Sequence, residues 1–168
     1  MPRMNAYRAI YPGPQRQSST PAPGRTELGA VSYVELGRGT VEEHEAVQST
    51  VLNRIASGHK YYAHGEEPNE HNVIHAPGQY QGVALFPDRF RDYLDGTAVG
   101  AQNAAQAERN LRRTGKPTTN ATAYIAHLDG SPPSDEEVWR LGDVQKADPY
   151  RAGRVYLYAP KAPAPQNR

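Results

Sequence analysis

The sequence has no cysteine. That absence excludes a disulfide scaffold, a thiolate zinc centre and a cysteine nucleophile, and it leaves the compartment open. Long apolar runs are lacking as well; no stretch approaches the roughly 18 residues that a membrane helix needs. The first twenty residues hold arginines but no apolar segment, so they do not read as a secretory signal peptide. Charge of one sign is not in excess. Lys plus Arg is 19 against 18 for Asp plus Glu, a net charge of +1, so the basic face of a counterion-releasing nucleic-acid binder is not expected. Hydrophobic residues make up only 37%, which implies a small core with part of the chain outside it. Neither a membrane nor a nucleic acid is therefore a predicted partner.

The ends are rich in turn formers. Residues 1–25 hold Pro2, Pro12, Pro14, Pro21 and Pro23 and a polar run from Gln15 to Thr20; such a segment buries too little apolar surface to offset its ordering entropy. It reads as an arm or linker, with Tyr7, Ile10 and Tyr11 as docking candidates. Residues 160–168 carry Pro160, Pro163 and Pro165 and read as an extended tail. One domain is expected over 26–159.

Within it a first helix fits Thr26 to Leu36, with Leu28, Val31, Ser32 and Glu35 on one face. Gly37 and Gly39 end it. Thr40-Val41-Glu42-Glu43 has the form of a capping box, opening a second helix that ends at Ser57-Gly58. Glu42, Glu43 and Glu45 fall in its first turns, where solvent and the helix dipole account for them. Residues 59–71 read as loop, Asn72 to His75 as a helical turn, and Gln79 to Ala84 as a strand. Pro87 opens a helix to Leu94. Thr97 to Arg113 is a third long helix, with Ala101, Ala104, Ala105, Glu108 and Leu111 inward. Ala121 to His127 and Arg154 to Tyr158 are strand candidates. The predicted class is α+β, mostly helical with a small antiparallel sheet.

Glu35 stands out because it follows Leu28, Val31 and Ser32 along a core-facing stripe. Partial desolvation of a carboxylate there raises its pKa and prepares it to donate a proton near neutrality. Glycosidic bonds need such an acid, since the leaving sugar oxygen departs poorly until protonated. A glutamate at a frayed helix end, in solvent or paired with Arg38, is the plain alternative.

From Glu35 the chain reads ELGRGTVEEHEAVQSTVLNRI. This resembles the cell wall hydrolase family of the spore-cortex lytic enzymes (SleB-like), which has a glutamate in an E-A-R-G-E segment followed without a gap by an A-V-x-x-V-x-L-N-R run. Ala46-Val47, Val51-Leu52 and Asn53-Arg54 stand where that run requires, with an interval of 18 residues from Glu35 to Asn53. A V-I-x-x-x-x-Q-F element is matched by Val73-Ile74-His75-Ala76-Pro77-Gly78-Gln79-Tyr80. The alanine-rich helix is matched over 97–113, and an A-x-Y/F-F-H-like segment loosely by Ala121 to His127. The likeness covers about residues 28 to 130. Leu36, Gly37 and Arg38 depart from the usual Ala, Arg and Gly, and Gly39 replaces a second acidic residue.

The resemblance implies a lysozyme-like fold and a lytic transglycosylase or muramidase without a cofactor. Glu35 matches its catalytic acid, Gln79 and Tyr80 the strand lining the sugar groove, and Tyr124 an aromatic facing the acid. His127, near Tyr124, is a further substrate-binding candidate. The implied reaction cleaves the MurNAc-GlcNAc β-1,4 bond of peptidoglycan glycan strands. Around Glu35 no second carboxylate is well placed, with Asp88, Asp92 and Asp129 left open. One acid suffices if the sugar's own 6-hydroxyl closes on the anomeric carbon. Eleven tyrosines against two phenylalanines and one tryptophan suit sugar rings, which need a flat apolar face beside a hydroxyl. Asn53 is expected to tie the second helix to a loop backbone, and Arg54 to pair or stack. An enzyme of this kind without a signal peptide acts in the periplasm or cell wall after delivery by a secretion apparatus or a holin, as an injected antibacterial effector or a phage lysin. An effector implies a cognate immunity protein that occupies the groove around Glu35. The alternative is an inactive module that binds peptidoglycan or supports structure. His71 and His75 form H-N-V-I-H, a metal-ligand spacing. The metalloprotease form requires glutamate at position 72, where Asn72 stands, and Pro77 leaves little helix, so no metal is assigned. No Gly-rich phosphate cradle and no serine-triad spacing is present.

Overall fold

A computed structural model describes residues 21–162. The expected arm therefore lies mostly outside the described residues, with Tyr7, Ile10 and Tyr11, as does most of the expected tail. Residues 21–25 form a turn against the domain: the Ala22 amide donates to the Leu94 carbonyl at 2.6 Å and the Arg25 guanidinium lies 4.7 Å from the Tyr93 ring centroid.

The first helix, α1 (Glu27–Leu36), is capped by the Thr26 hydroxyl, which accepts the Leu28 amide. Every residue from Leu28 to Val34 is buried. A single inward face was expected; instead the helix is surrounded by α2 (Val41–Ser57), α3 (Glu70–Ile74), α4 (Gln81–Leu85), α5 (Pro87–Asp95) and α6 (Gln102–Thr114). The small polar members of the helix make this tolerable. Ser32 donates to the Gly29 carbonyl and accepts from Gln48. Gly29 leaves room for the Tyr93 hydroxyl and Glu108, which occupy the place a Cβ would take. Glu108 is buried as expected, and its carboxylate is satisfied by the Thr26 amide, the Thr26 hydroxyl and the Tyr93 hydroxyl. A buried carboxylate persists only when its lone pairs are taken in this way.

The capping box at Thr40 and Glu43 is present as read, and Gly58 ends α2 in the left-handed conformation. Glu43 departs from the expectation of a solvated first turn. It is buried and paired with Arg154 at 2.8 Å, which ties α2 to the turn before the last strand. Residues 60–63 form a 3-10 turn inside the expected loop.

Gln79 to Ala84 is not a strand. Gln81–Leu85 is the helix α4, with Tyr80 as its extended N-cap residue. The segment holds one β-branched residue, Val83, and takes no part in the three-stranded sheet. The third long helix starts later than its alanine pattern suggests. Gly100 adopts φ 70° and lets the Arg38 side chain pack on its bare Cα, so α6 begins at Gln102.

Three antiparallel strands complete the domain: β1 (Ala123–Ala126), β2 (Val144–Ala152) and β3 (Val155–Pro160), in the order β1-β3-β2. The central strand β3 is buried on both faces from Val155 to Ala159. Two elements were not anticipated. The helix α7 (Asp135–Arg140) opens on a second capping box, Ser134 with Glu137. The edge strand β2 is mostly exposed and irregular between Lys146 and Arg151; its polar sequence and Pro149 hide it from a period-two search. The observed class is α+β, with seven helices and the small antiparallel sheet among the described residues. None of these helices is long and apolar enough to cross a membrane.

Candidate functional site

Glu35 occupies the last turn of α1, just beyond the fully buried Val34. Gly37 caps the turn, its amide donating to the Tyr33 carbonyl at 2.8 Å. The end of a packed helix holds the Glu35 backbone in place while its side chain keeps partial exposure. The carboxylate does not pair with Arg38, which lies over Gly100. It accepts two hydrogen bonds from distant parts of the chain. The Gly82 amide donates to Oε1 at 2.7 Å, and the Tyr124 hydroxyl donates to Oε2, also at 2.7 Å.

Each donor has its own reason for being there. Gly82 lies in the first turn of α4, where backbone amides lack intrahelical partners and point outward. A Cβ on Gly82 would stand 2.9 Å from the Val34 carbonyl oxygen and 3.0 Å from Glu35 Oε1. Only glycine lets α4 approach α1 closely enough for this bond. Tyr124 comes from β1, opposite Leu157 of the central strand. Burial first, then the negative charge of Glu35 and the hydrogen bond to it, hold the Tyr124 phenol well above its ordinary pKa. The hydroxyl therefore keeps its proton and serves as a donor.

Tyr80 stacks on Tyr124 with ring centroids 6.5 Å apart. It is 3% exposed, so its ring is not a platform for a sugar. Its hydroxyl meets Thr50 Oγ1 at 2.9 Å; Thr50 spends its own proton on the Val47 carbonyl, so Tyr80 is the donor. Burial chiefly raises the Tyr80 pKa against the opposing charge of Arg54. Gln79 lies in the turn before α4 and accepts from Arg54 Nη1 at 3.0 Å. Gln79 and Tyr80 thus stand beside the acid through Tyr124, but in a turn and a helix cap rather than a groove-lining strand.

Arg54 stacks on tyrosines, as expected, and is the hub of this network. It is buried, donates Nε to the Thr122 carbonyl at 2.6 Å, and lies 4.7 Å and 5.2 Å from the Tyr80 and Tyr62 ring centroids. Asn53 beside it donates to the carbonyls of Thr119 and Ala121, both at 2.7 Å. The N-R pair therefore pins the chain entering β1 to α2, and so sets where Tyr124 stands. The expectation that Asn53 ties α2 to a loop backbone is met.

His127 is not turned to the acid through its ring nitrogens. Nδ1 faces the Ser131 carbonyl at 2.9 Å, and Nε2 faces Glu137 Oε1 at 2.7 Å. The Glu137 carboxylate and the Ser131 carbonyl raise the pKa of its imidazole. The residue closes the turn between β1 and α7. Asp129 accepts from the Ser131 amide in the same turn. A broad open hollow elsewhere is lined by Trp139, Tyr150, Tyr158, Lys146 and Lys161, among others, and does not include Glu35.

No family model, no curated protein and no solved structure matches this chain. Any functional reading therefore rests on the chemistry of Glu35 and its surroundings.

Proposed function

We propose that this protein cleaves the MurNAc-GlcNAc β-1,4 bond of peptidoglycan, with Glu35 as the single acid and base, and that it works as a lytic transglycosylase. One observation carries the reading. The glutamate and the tyrosine matched to the acid and its facing aromatic in SleB-like hydrolases are hydrogen-bonded, although 89 positions separate them. The Gly82 amide adds a second donor, which orients the carboxyl group and limits its rotamers.

In the proposed reaction the protonated Glu35 carboxyl gives its hydrogen to the glycosidic oxygen while the bond from that oxygen to the anomeric carbon breaks. The GlcNAc side leaves as an alcohol. Positive charge develops on the muramoyl ring, beside the carboxylate just formed. The muramoyl 6-hydroxyl then attacks the anomeric carbon and returns its proton to Glu35, so the enzyme is regenerated and a 1,6-anhydro end results. Tyr124 and Gly82 hold the carboxylate for the second half of this cycle, when it acts as base. Water in place of the 6-hydroxyl would give hydrolysis and a reducing end.

The test is cleavage of purified murein sacculi by wild type and by Glu35→Gln, followed by mass spectrometry of the products. Loss of turbidity with wild type alone, with anhydro ends released, supports the proposal. Reducing ends replace transglycosylation with hydrolysis. Sacculi that stay intact with both proteins overturn the enzymatic reading and favour a peptidoglycan-binding module. If the protein is an injected effector, a small immunity protein covering Glu35 would abolish the cleavage.

A further inference from the structure

A second chemical cluster lies at the other end of α1. Glu27 stands in its first turn, and the carboxylate faces two histidines 44 and 48 positions away. His71 Nδ1 is 3.0 Å from Glu27 Oε2 and 3.2 Å from Oε1, and His75 Nε2 is 2.9 Å from Oε1. All three ligand atoms lie within 4.8 Å of one another.

The geometry explains why the H-N-V-I-H spacing works here. Pro77 was expected to leave too little helix, but Asn69 caps α3 and the His75 amide still donates to the His71 carbonyl at 3.0 Å. Both imidazoles therefore project from one face, with ring centroids 4.4 Å apart. His75 is also held edge-on by Phe90 at 5.4 Å, a buried residue of α5. Glu27, from another helix, brings a carboxylate to the histidine pair as a third donor group.

We propose that Glu27, His71 and His75 bind one divalent transition-metal ion of the zinc type. Two imidazoles and a carboxylate suit a borderline ion such as Zn²⁺ better than Mg²⁺ or Ca²⁺, which favour all-oxygen ligands. Metal–ligand bonds of about 2.0–2.1 Å in a tetrahedron put ligand atoms roughly 3.3 Å apart. His71 Nδ1 and His75 Nε2 stand 3.2 Å and 2.9 Å from Glu27 Oε1, so these two spacings need to open by only a few tenths of an ångström. Water fills the fourth position, since the site is partly exposed. The bound ion clamps α3 to the start of α1. It lies away from Glu35, because eight residues of helix separate the two glutamates by about 12 Å, so the ion has a structural role and the glycosidic chemistry does not depend on it.

The experiment is calorimetric titration of tag-free protein with ZnCl₂, alongside the visible spectrum of the protein loaded with Co²⁺. One Zn²⁺ per chain is expected, undisturbed by excess Mg²⁺, with the intense bands of four-coordinate Co²⁺. Glu27→Gln should weaken binding at least about tenfold, and His71→Ala with His75→Ala should remove the stoichiometric site. The variant residues are at the surface, and circular dichroism checks that they leave the fold intact. Wild type that takes up no stoichiometric Zn²⁺, or variants that bind like wild type, overturns the proposal. A six-coordinate Co²⁺ spectrum in wild type overturns it without any variant.

Discussion

The Tyr124 hydroxyl donates to Glu35 Oε2 at 2.7 Å, joining the end of the central helix to the edge of the sheet. This contact sets what the carboxylate can do, because it fixes one oxygen while the Gly82 amide fixes the other.

Removing the hydroxyl should therefore affect chemistry more than folding. Tyr124→Phe keeps the ring beside Tyr80 and deletes one donor to the carboxylate. A lost hydrogen bond to a charged group is worth about 1.5–3 kcal/mol. If about half of it acts only in the transition state of the proposed reaction, murein cleavage slows roughly four- to twelvefold. Thermal unfolding should show a smaller change, since the phenyl packing survives. Cleavage rates equal to wild type would remove Tyr124 from the machinery.

Gly82→Ala should damage both. The added methyl meets the Val34 carbonyl oxygen at 2.9 Å and Glu35 Oε1 at 3.0 Å, and α4 must move away. Overpacking of this kind costs about 1–3 kcal/mol. Urea denaturation should show the loss, and murein cleavage should fall by more than stability alone explains. Gly78→Ala offers a comparison, because nothing lies within 4 Å of its Cβ position, although its φ of 76° brings strain of its own.

Arg54→Met tests the hub. The change leaves the Thr122 carbonyl and Gln79 without their donor and takes the cation from between Tyr80 and Tyr62. Loss of a buried, hydrogen-bonded charge costs about 2–4 kcal/mol. Chemical denaturation measures it. A midpoint within error of wild type would refute the role of Arg54 in holding β1.

Stability should fall in acid in two stages. Burial lowers the pKa of His44 to about 4 from 6.5, against the opposing effects of Gly37 and Glu43. The unfolded chain then takes up a proton near pH 6.5 that the fold refuses, so stability drops between pH 6.5 and 4. Glu43 follows. Burial alone would raise its pKa, but the Arg154 side chain and the amides of Thr40 and Arg154 outweigh it and hold the value at about 2, from 4.5. Its stabilisation is complete above pH 4.5 and is lost as pH falls from 4.5 to 2. Each group contributes up to about 3 kcal/mol, because a pKa unit is worth about 1.4 kcal/mol. Urea midpoints measured from pH 8 to 3 check this, and His44→Gln should abolish the upper stage alone.

Much of the helical frame was legible because its signals are local. Thr40 and Glu43 announce α2, Pro87 opens α5, and the alanine stripe of α6 faces inward as read. The second capping box at Ser134 carried the same signature and was available to the same reading. The few alternating residues of Gln79 to Ala84 fit either a strand or a helix, and only the approach to α1 selects the helix. His127 was placed near the acid by sequence proximity to Tyr124, but its ring serves the turn beside it.

The sequence by itself determined where α1, α2 and α5 begin and end, since caps, prolines and apolar spacing act within a few residues. It also marked Glu35 as a carboxylate following a buried stripe. Only the tertiary structure decided what surrounds that carboxylate: an amide 47 positions away and a hydroxyl 89 positions away. It likewise decided that Glu27 completes the histidine pair. Such partners are chosen by packing across the whole core, where a single missing Cβ or a buried arginine sets the spacing, and no local pattern records that choice.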